Sequence, residues 1–210
     1  MTSNPVITWI WSVDARIWQA VIAGAFVSAG WVFNGWQNRR DAARLRAERL
    51  RDVHRALYAE IGSTMANLGS PAALEQNAEG IMQRMSDDAG FVPFIPHEPG
   101  DHLYDAVVAE IHILPRCTID PVVAFYSQIK AISALIEDMR GNTFKVMGQT
   151  RRMGMYRDYI AMKQQLFEYG LFATSMIKAY AEGGADAAET LARKINSRAV
   201  APSAPSPESE

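Results

Sequence analysis

Residues 17–36 read IWQAVIAGAFVSAGWVFNGW, twenty positions without a charged side chain, and the fold turns on how they are read. That length matches the roughly 20 residues an α-helix needs to cross a ~30 Å hydrocarbon core. Trp18 and Trp36 stand at the two ends, about 27 Å apart at ~1.5 Å rise per residue, and Trp31 lies a little over one turn inside. All five tryptophans, Trp9, Trp11, Trp18, Trp31 and Trp36, fall within the first 36 residues. Indole rings prefer the headgroup level of a bilayer, and such crowding is what a membrane anchor produces. The competing reading is the buried core helix of a soluble protein. A core helix rarely runs this long without a charge and then meets a block of arginines, so a transmembrane helix is expected.

The flanks orient that helix. The N-terminal side offers only Arg16 and the α-amino group, whereas the other side carries Arg39, Arg40, Arg44, Arg46, Arg49, Arg51 and Arg55. Lysine and arginine stay on the cytoplasmic face, so the N-terminus is expected outside and the rest of the chain in the cytoplasm, at the inner membrane of the cell. A cleaved signal peptide fits poorly, because the start lacks a basic region and a small-x-small cleavage site. Trp18, Trp31, Trp36, Arg39, Arg40 and Arg44 are the expected membrane-interface residues, with anionic headgroups as their partners. Inside the span Ala20, Gly24 and Ser28 recur every four residues. Small residues at that spacing let two helix backbones approach closely, and self-association into a homo-oligomer is expected there.

The 210 residues leave room for one domain beyond the anchor. A net charge of −2 argues against a general nucleic-acid binder, and no aromatic residues interleave with the stalk arginines. A single cysteine, Cys117, excludes an internal disulfide framework. The expected organisation is an interfacial arm at 1–16, the span at 17–36, a basic stalk helix at 37–68, helices over 69–196 that pack on the stalk from about 50, and a disordered tail at 197–210. In the stalk, Leu50, Val53, Leu57, Ile61, Met65 and Leu68 follow 3–4 spacing and define one apolar face, while His54 reads as isolated. Span and stalk form one helix if nothing interrupts at Gly35.

Beyond it, Ser70-Pro71 is a helix start, with a hydroxyl cap and proline in the first position. Three prolines within 91–100 forbid a helix there, and Phe91, Phe94 and Ile95 are expected to fold back onto the domain. Asp101 and Asp120-Pro121 read as two further starts. The first opens a helix over about 102–113. The second opens one to about Arg140 that buries Val122, Phe125, Tyr126, Ile132 and Met139 and stops at Gly141. A long helix to Glu182 carries Tyr156, Tyr159, Leu166, Leu171, Ile177 and Tyr180, and Gly183-Gly184 breaks it. No strand pattern competes, so the fold class is all-α: a transmembrane helix continuous with a stalk helix, then a cytoplasmic bundle of four or five helices.

Residues 103–132, LYDAVVAEIHILPRCTIDPVVAFYSQIKAI, resemble a stretch met in uncharacterised bacterial single-span, membrane-anchored helical proteins. The matching positions are Tyr104, Asp105, Leu114, Pro115, Phe125 and Tyr126. The resemblance implies an anchored helical protein and brings no activity, cofactor or catalytic residue with it.

The polar residues worth testing for chemistry are His97, Glu98, Asp101, His102, Asp105, Glu110 and His112. His102 and His112 lie ten residues apart, about 15 Å along a helix, and cannot share an ion. Paired Glu-x-x-His ligands of di-metal helical proteins are missing, as are phosphate-cradling loops, a serine elbow and CxxC. Lys145, Arg151, Arg152 and Arg157 form a second basic group that could face the membrane, an acidic partner or water, with a solvated face expected. No catalytic, metal or cofactor residue is therefore expected. The functional expectation is a non-enzymatic, membrane-tethered interaction or scaffold module with a protein partner of unknown kind. The alternative is a small-ligand or metal-dependent sensor or enzyme domain built on the His97–Asp105 group.

Overall fold

The computed structural model describes residues 15–97, 111 and 113–200, with the side chains of 17–97, 111 and 113–197. Among the described residues the chain is all-helical, with no strand. The described residues hold four long helices: α1 (Ala15–Leu68), α2 (Pro71–Asp87), α3 (Arg116–Arg140) and α5 (Gln149–Val200). A single-turn α4 (Asn142–Val146) joins α3 to α5. The chain divides into two compact units, residues 1–49 and 50–210. The expected outer arm (1–14), the helix expected after Asp101 and the tail at 201–210 lie outside the described residues, as do Glu98, Asp101, His102, Tyr104, Asp105, Glu110 and His112.

The first unit is the N-terminal part of α1, helical without interruption through Gly35. Among the described residues, two helices are long and apolar enough to cross a membrane, and they are α1 and α3, each with a mean hydropathy of 1.3. They differ in burial. A third of the apolar window of α3 (33%) is buried inside the protein, against none (0%) for α1. Among the described residues, ten of the fifteen exposed large hydrophobic side chains run from Ile17 to Trp36, and none of the described residues covers this apolar segment.

The second unit has its own core. The stalk face Val53, Leu57, Ile61 and Leu68 is buried against Val122, Phe125, Tyr126, Ile132, Ile136 and Met139 of α3 and Tyr156, Tyr159, Leu166, Ala173 and Ile177 of α5. α3 and α5 run antiparallel, since the Gln128 side chain donates to Met162 O at 3.0 Å while Phe125 lies beside Gly170. Gly170 is where α1 and α3 both approach α5. A Cβ there would stand 2.6 Å from Met65 Sδ and 3.1 Å from Phe125 Cε2.

Helix boundaries follow local chemistry. Ser70 caps α2, its Oγ accepting from Ala73 N at 3.2 Å, with Pro71 in the first turn. Asp120-Pro121 does not start a helix. α3 begins at Arg116 with Pro115 as its cap, and Pro121 lies buried inside it. Thr118 N and Ile119 N both donate to Pro115 O (2.9 and 3.1 Å), which closes a turn ahead of the proline. The gain is burial of Thr118, which a helix starting at Pro121 would leave in a loop. α3 ends at Gly141, whose N–H is shared between Glu137 O and Asp138 O. At Gly183-Gly184 the chain leaves helical geometry, Gly184 taking φ 69°, and the following segment is helical to Val200. Two apolar expectations fail: Phe94 is 85% and Leu171 is 49% exposed. Ile95 folds back as expected and Phe91 packs partly buried against the same core, while Arg140 Nη1 donates to the Ile95 carbonyl at 2.9 Å.

Candidate functional site

Two places carry unusual chemistry, one in each unit. In the first, α1 sets its side chains about 100° apart around the axis, and the exposed Ile17, Val21, Phe26, Val27, Trp31, Val32 and Phe33 leave no sector wider than about 100° between them. A helix that is apolar all round belongs in a protein core or a membrane. Trp18, Trp31 and Trp36 are 42%, 79% and 52% exposed. Arg39, Arg40 and Arg44 are exposed as well. Arg39 folds back along the helix, its Nε donating to Gly35 O at 3.0 Å. Arg40 lies over the Trp36 ring, 5.4 Å from its centroid. Both guanidinium groups thus turn toward the apolar segment.

Ala20, Gly24 and Ser28 form an exposed stripe on another side of α1. Ser28 Oγ donates to Gly24 O at 2.8 Å, so its hydroxyl is satisfied within the helix. A Cβ added to Gly24 would meet nothing within 4 Å. A shallow apolar groove lies beside the stripe, lined by Ser28, Ala29, Val32, Phe33 and Trp36. The Phe33 and Trp36 rings stand 6.3 Å apart at its end.

The second unit holds its polar groups inside. His54, which reads as isolated in the sequence, is only 5% exposed. Its Nε2 lies 3.0 Å from Thr118 Oγ1, and its ring lies 5.2 Å from that of Tyr180. Thr118 Oγ1 donates to Pro115 O at 3.1 Å, which commits its proton. His54 therefore donates from Nε2, and its Nδ1 carries no proton. Burial lowers the His54 pKa to about 4, so the imidazole is neutral at pH 7. Nearly two turns further along α1, the Tyr126 hydroxyl donates to Glu60. Cys117 is half-buried, and burial pushes its thiol up, which keeps it a poor nucleophile.

Of the second basic group, Lys145, Arg151 and Arg157 are exposed, and Arg152 alone departs from the solvated face. It is 5% exposed, with Nη1 donating to Lys145 O at 3.0 Å and Nη2 to Ala89 O. Its Nε is buried without a hydrogen-bond partner. The guanidinium is a tie between the α2–α3 connector and α4. Gln149 reinforces it by donating to Met85 O and Ser86 O at 2.7 and 3.0 Å.

Of the polar group expected around His97, only His97 is described. It is exposed and lies 3.5 Å from Glu137 Oε1. Among the described residues no cluster of three or more metal-ligating side chains occurs. The sequence reading missed His54, Thr118 and Arg152. A signal existed for two of them: His54 continues the Leu50–Leu57–Ile61 face at 4–3–4 spacing, and Arg152 leads into Tyr156 and Tyr159 at 4–3. Comparison of the chain with protein families, curated proteins and solved structures finds no match.

Proposed function

We propose that this chain is a non-enzymatic, membrane-tethered interaction module. α1 crosses the inner membrane once, the N-terminus lies outside, and residues 50–200 form a helical bundle held in the cytoplasm. The observation that carries the reading is the bare apolar segment from Ile17 to Trp36. Burying one large apolar side chain is worth about 1.5–3 kcal/mol, so ten of them left in water forfeit tens of kcal/mol. That exceeds the roughly 5–15 kcal/mol by which a domain is stable, and only a lipid or protein covering removes the deficit. Tryptophan at both ends and arginines beyond one of them favour lipid. The arginines near the surface each add about 1 kcal/mol of attraction to anionic headgroups. Self-association through Ala20, Gly24 and Ser28 presents the second unit as a pair or higher assembly to its protein partner.

The test uses intact cells. The full chain, tagged after Glu210, should stay with membranes through alkaline carbonate extraction. The tag should resist protease added to spheroplasts and be removed once they are lysed. Release into the carbonate supernatant would disprove the anchor, while tag loss from intact spheroplasts would reverse the orientation.

A further inference from the structure

We infer that α1 carries a site for one anionic phospholipid, with the acyl chain in the groove between Ser28 and Trp36 and the headgroup phosphate on Arg39 and Arg40. The inference rests on the membrane-anchor reading and names the lipid class that this anchor selects.

Three features converge on it. The groove is apolar, and its hydroxyl, Ser28 Oγ, is already bonded to Gly24 O, so it offers a hydrocarbon chain no unsatisfied polar group. It runs from Ser28 over eight residue steps, about 12 Å along the axis, and ends at the Trp36 indole. Arg39 and Arg40 follow one turn beyond. At about 100° per residue they stand roughly 50° to either side of the groove's midline, bracketing its end.

The arginines are also pre-set. The bond from Arg39 Nε to Gly35 O holds that guanidinium against the helix and leaves both its Nη groups to donate. Stacking over Trp36 holds the Arg40 guanidinium in the same layer. Neither is paired with a carboxylate among the described residues, so two guanidinium forks flank the end of an apolar groove. A phosphate diester accepts bidentate donation from such forks. Phosphatidylcholine brings its own ammonium group to that end of the groove, and phosphatidylglycerol does not.

Charge also decides against a second copy of the chain. A parallel pair meeting on this face would bring four guanidinium groups together at its end. The Ala20, Gly24 and Ser28 stripe is centred roughly 110° away around the axis, so lipid and partner helix share only the border at Ser28.

The test is lipid retention by the full chain purified in mild detergent with equal phosphatidylglycerol and phosphatidylcholine, read by native mass spectrometry. The wild type should retain phosphatidylglycerol in preference. Arg39→Gln with Arg40→Gln should cut that preference on the order of thirtyfold, from two lost headgroup contacts. Arg51→Gln with Arg55→Gln removes the same charge farther along α1 and should leave it unchanged. Equal retention of the two lipids, or equal loss in both double variants, would overturn the site. Quantitative disulfide formation by Val32→Cys in a Cys117→Ser background would assign the groove to a second copy and also overturn it. Cosedimentation with pure phosphatidylcholine vesicles keeps the two readings separate. A chain that sediments without lipid preference loses only this site, and one left in the supernatant loses the anchor and the site together.

Discussion

His54 Nε2 and Thr118 Oγ1, 64 positions apart, meet at 3.0 Å and join α1 to α3 inside the second unit. Among the described residues only neutral groups are seen on the imidazole, Thr118 on one side and the Tyr180 ring on the other. Nothing there stabilises a proton on it.

The pH dependence of stability follows from this. With a folded pKa of about 4 against 6.5 unfolded, the unfolded chain takes up the proton first. The contribution of His54 is complete above pH 6.5 and is lost as pH falls toward 4. Between pH 7.5 and 5 the unfolding free energy should drop by about 2 kcal/mol from this residue alone. His54→Gln, which retains a donor for Thr118, should flatten that part of the profile. Chemical denaturation of both proteins across the range checks it, and parallel profiles would refute the assignment.

Gly170 is needed for closeness. A Cβ there would come within 2.6 Å of Met65 Sδ and 3.1 Å of Phe125 Cε2, and Phe125 is fully buried. Gly170→Ala gains about 1 kcal/mol of helix propensity but should lose more to overpacking, for a net cost of about 1–2 kcal/mol. Combined with Met65→Ala, it should cost less than the sum of the two changes made singly. A double-mutant cycle in urea gives the answer, and strict additivity would show that Met65 is not the obstacle.

Arg152 ties two connectors through Lys145 O and Ala89 O. Hydrogen bonds from a charged donor contribute about 1.5–3 kcal/mol each, less the cost of burying the guanidinium. Arg152→Met should destabilise the unit by about 2–3 kcal/mol and speed proteolysis within residues 88–97. Arg152→Lys should recover less than half of the loss, because an ammonium group cannot span both carbonyls as the planar fork does. Full recovery by lysine would mean that charge matters here and shape does not.

The proposed self-association depends on a flat stripe. Gly24→Ile raises a branched side chain between Ala20 and Ser28, where a Cβ now meets nothing within 4 Å. Association of the span in a membrane reporter assay should fall to background, whereas Phe26→Leu on another side should not change it. An unchanged Gly24→Ile signal would move the interface off this stripe.

Much of this protein was legible in its sequence because local chemistry settles it. Helix starts such as Ser70-Pro71, the stop at Gly141 and the break at Gly183-Gly184 depend on a few neighbouring residues. The apolar faces of α1 and α3 follow from a 3–4 repeat, and the bare segment from Ile17 to Trp36 from the simple lack of charge. What only the tertiary structure decided is the set of polar residues inside. His54 and Arg152 lie on apolar repeats, yet a repeat cannot say whether a polar member will find partners, and theirs come from 64 and 63 positions away. The start of α3 shows the same limit. Asp120-Pro121 is a sound local start signal, but burying Thr118 against His54 favours a helix that begins at Arg116 and carries the proline inside it. Local rules fix a helix end when nothing distant competes; at α3 a contact with α1 does compete, and it wins.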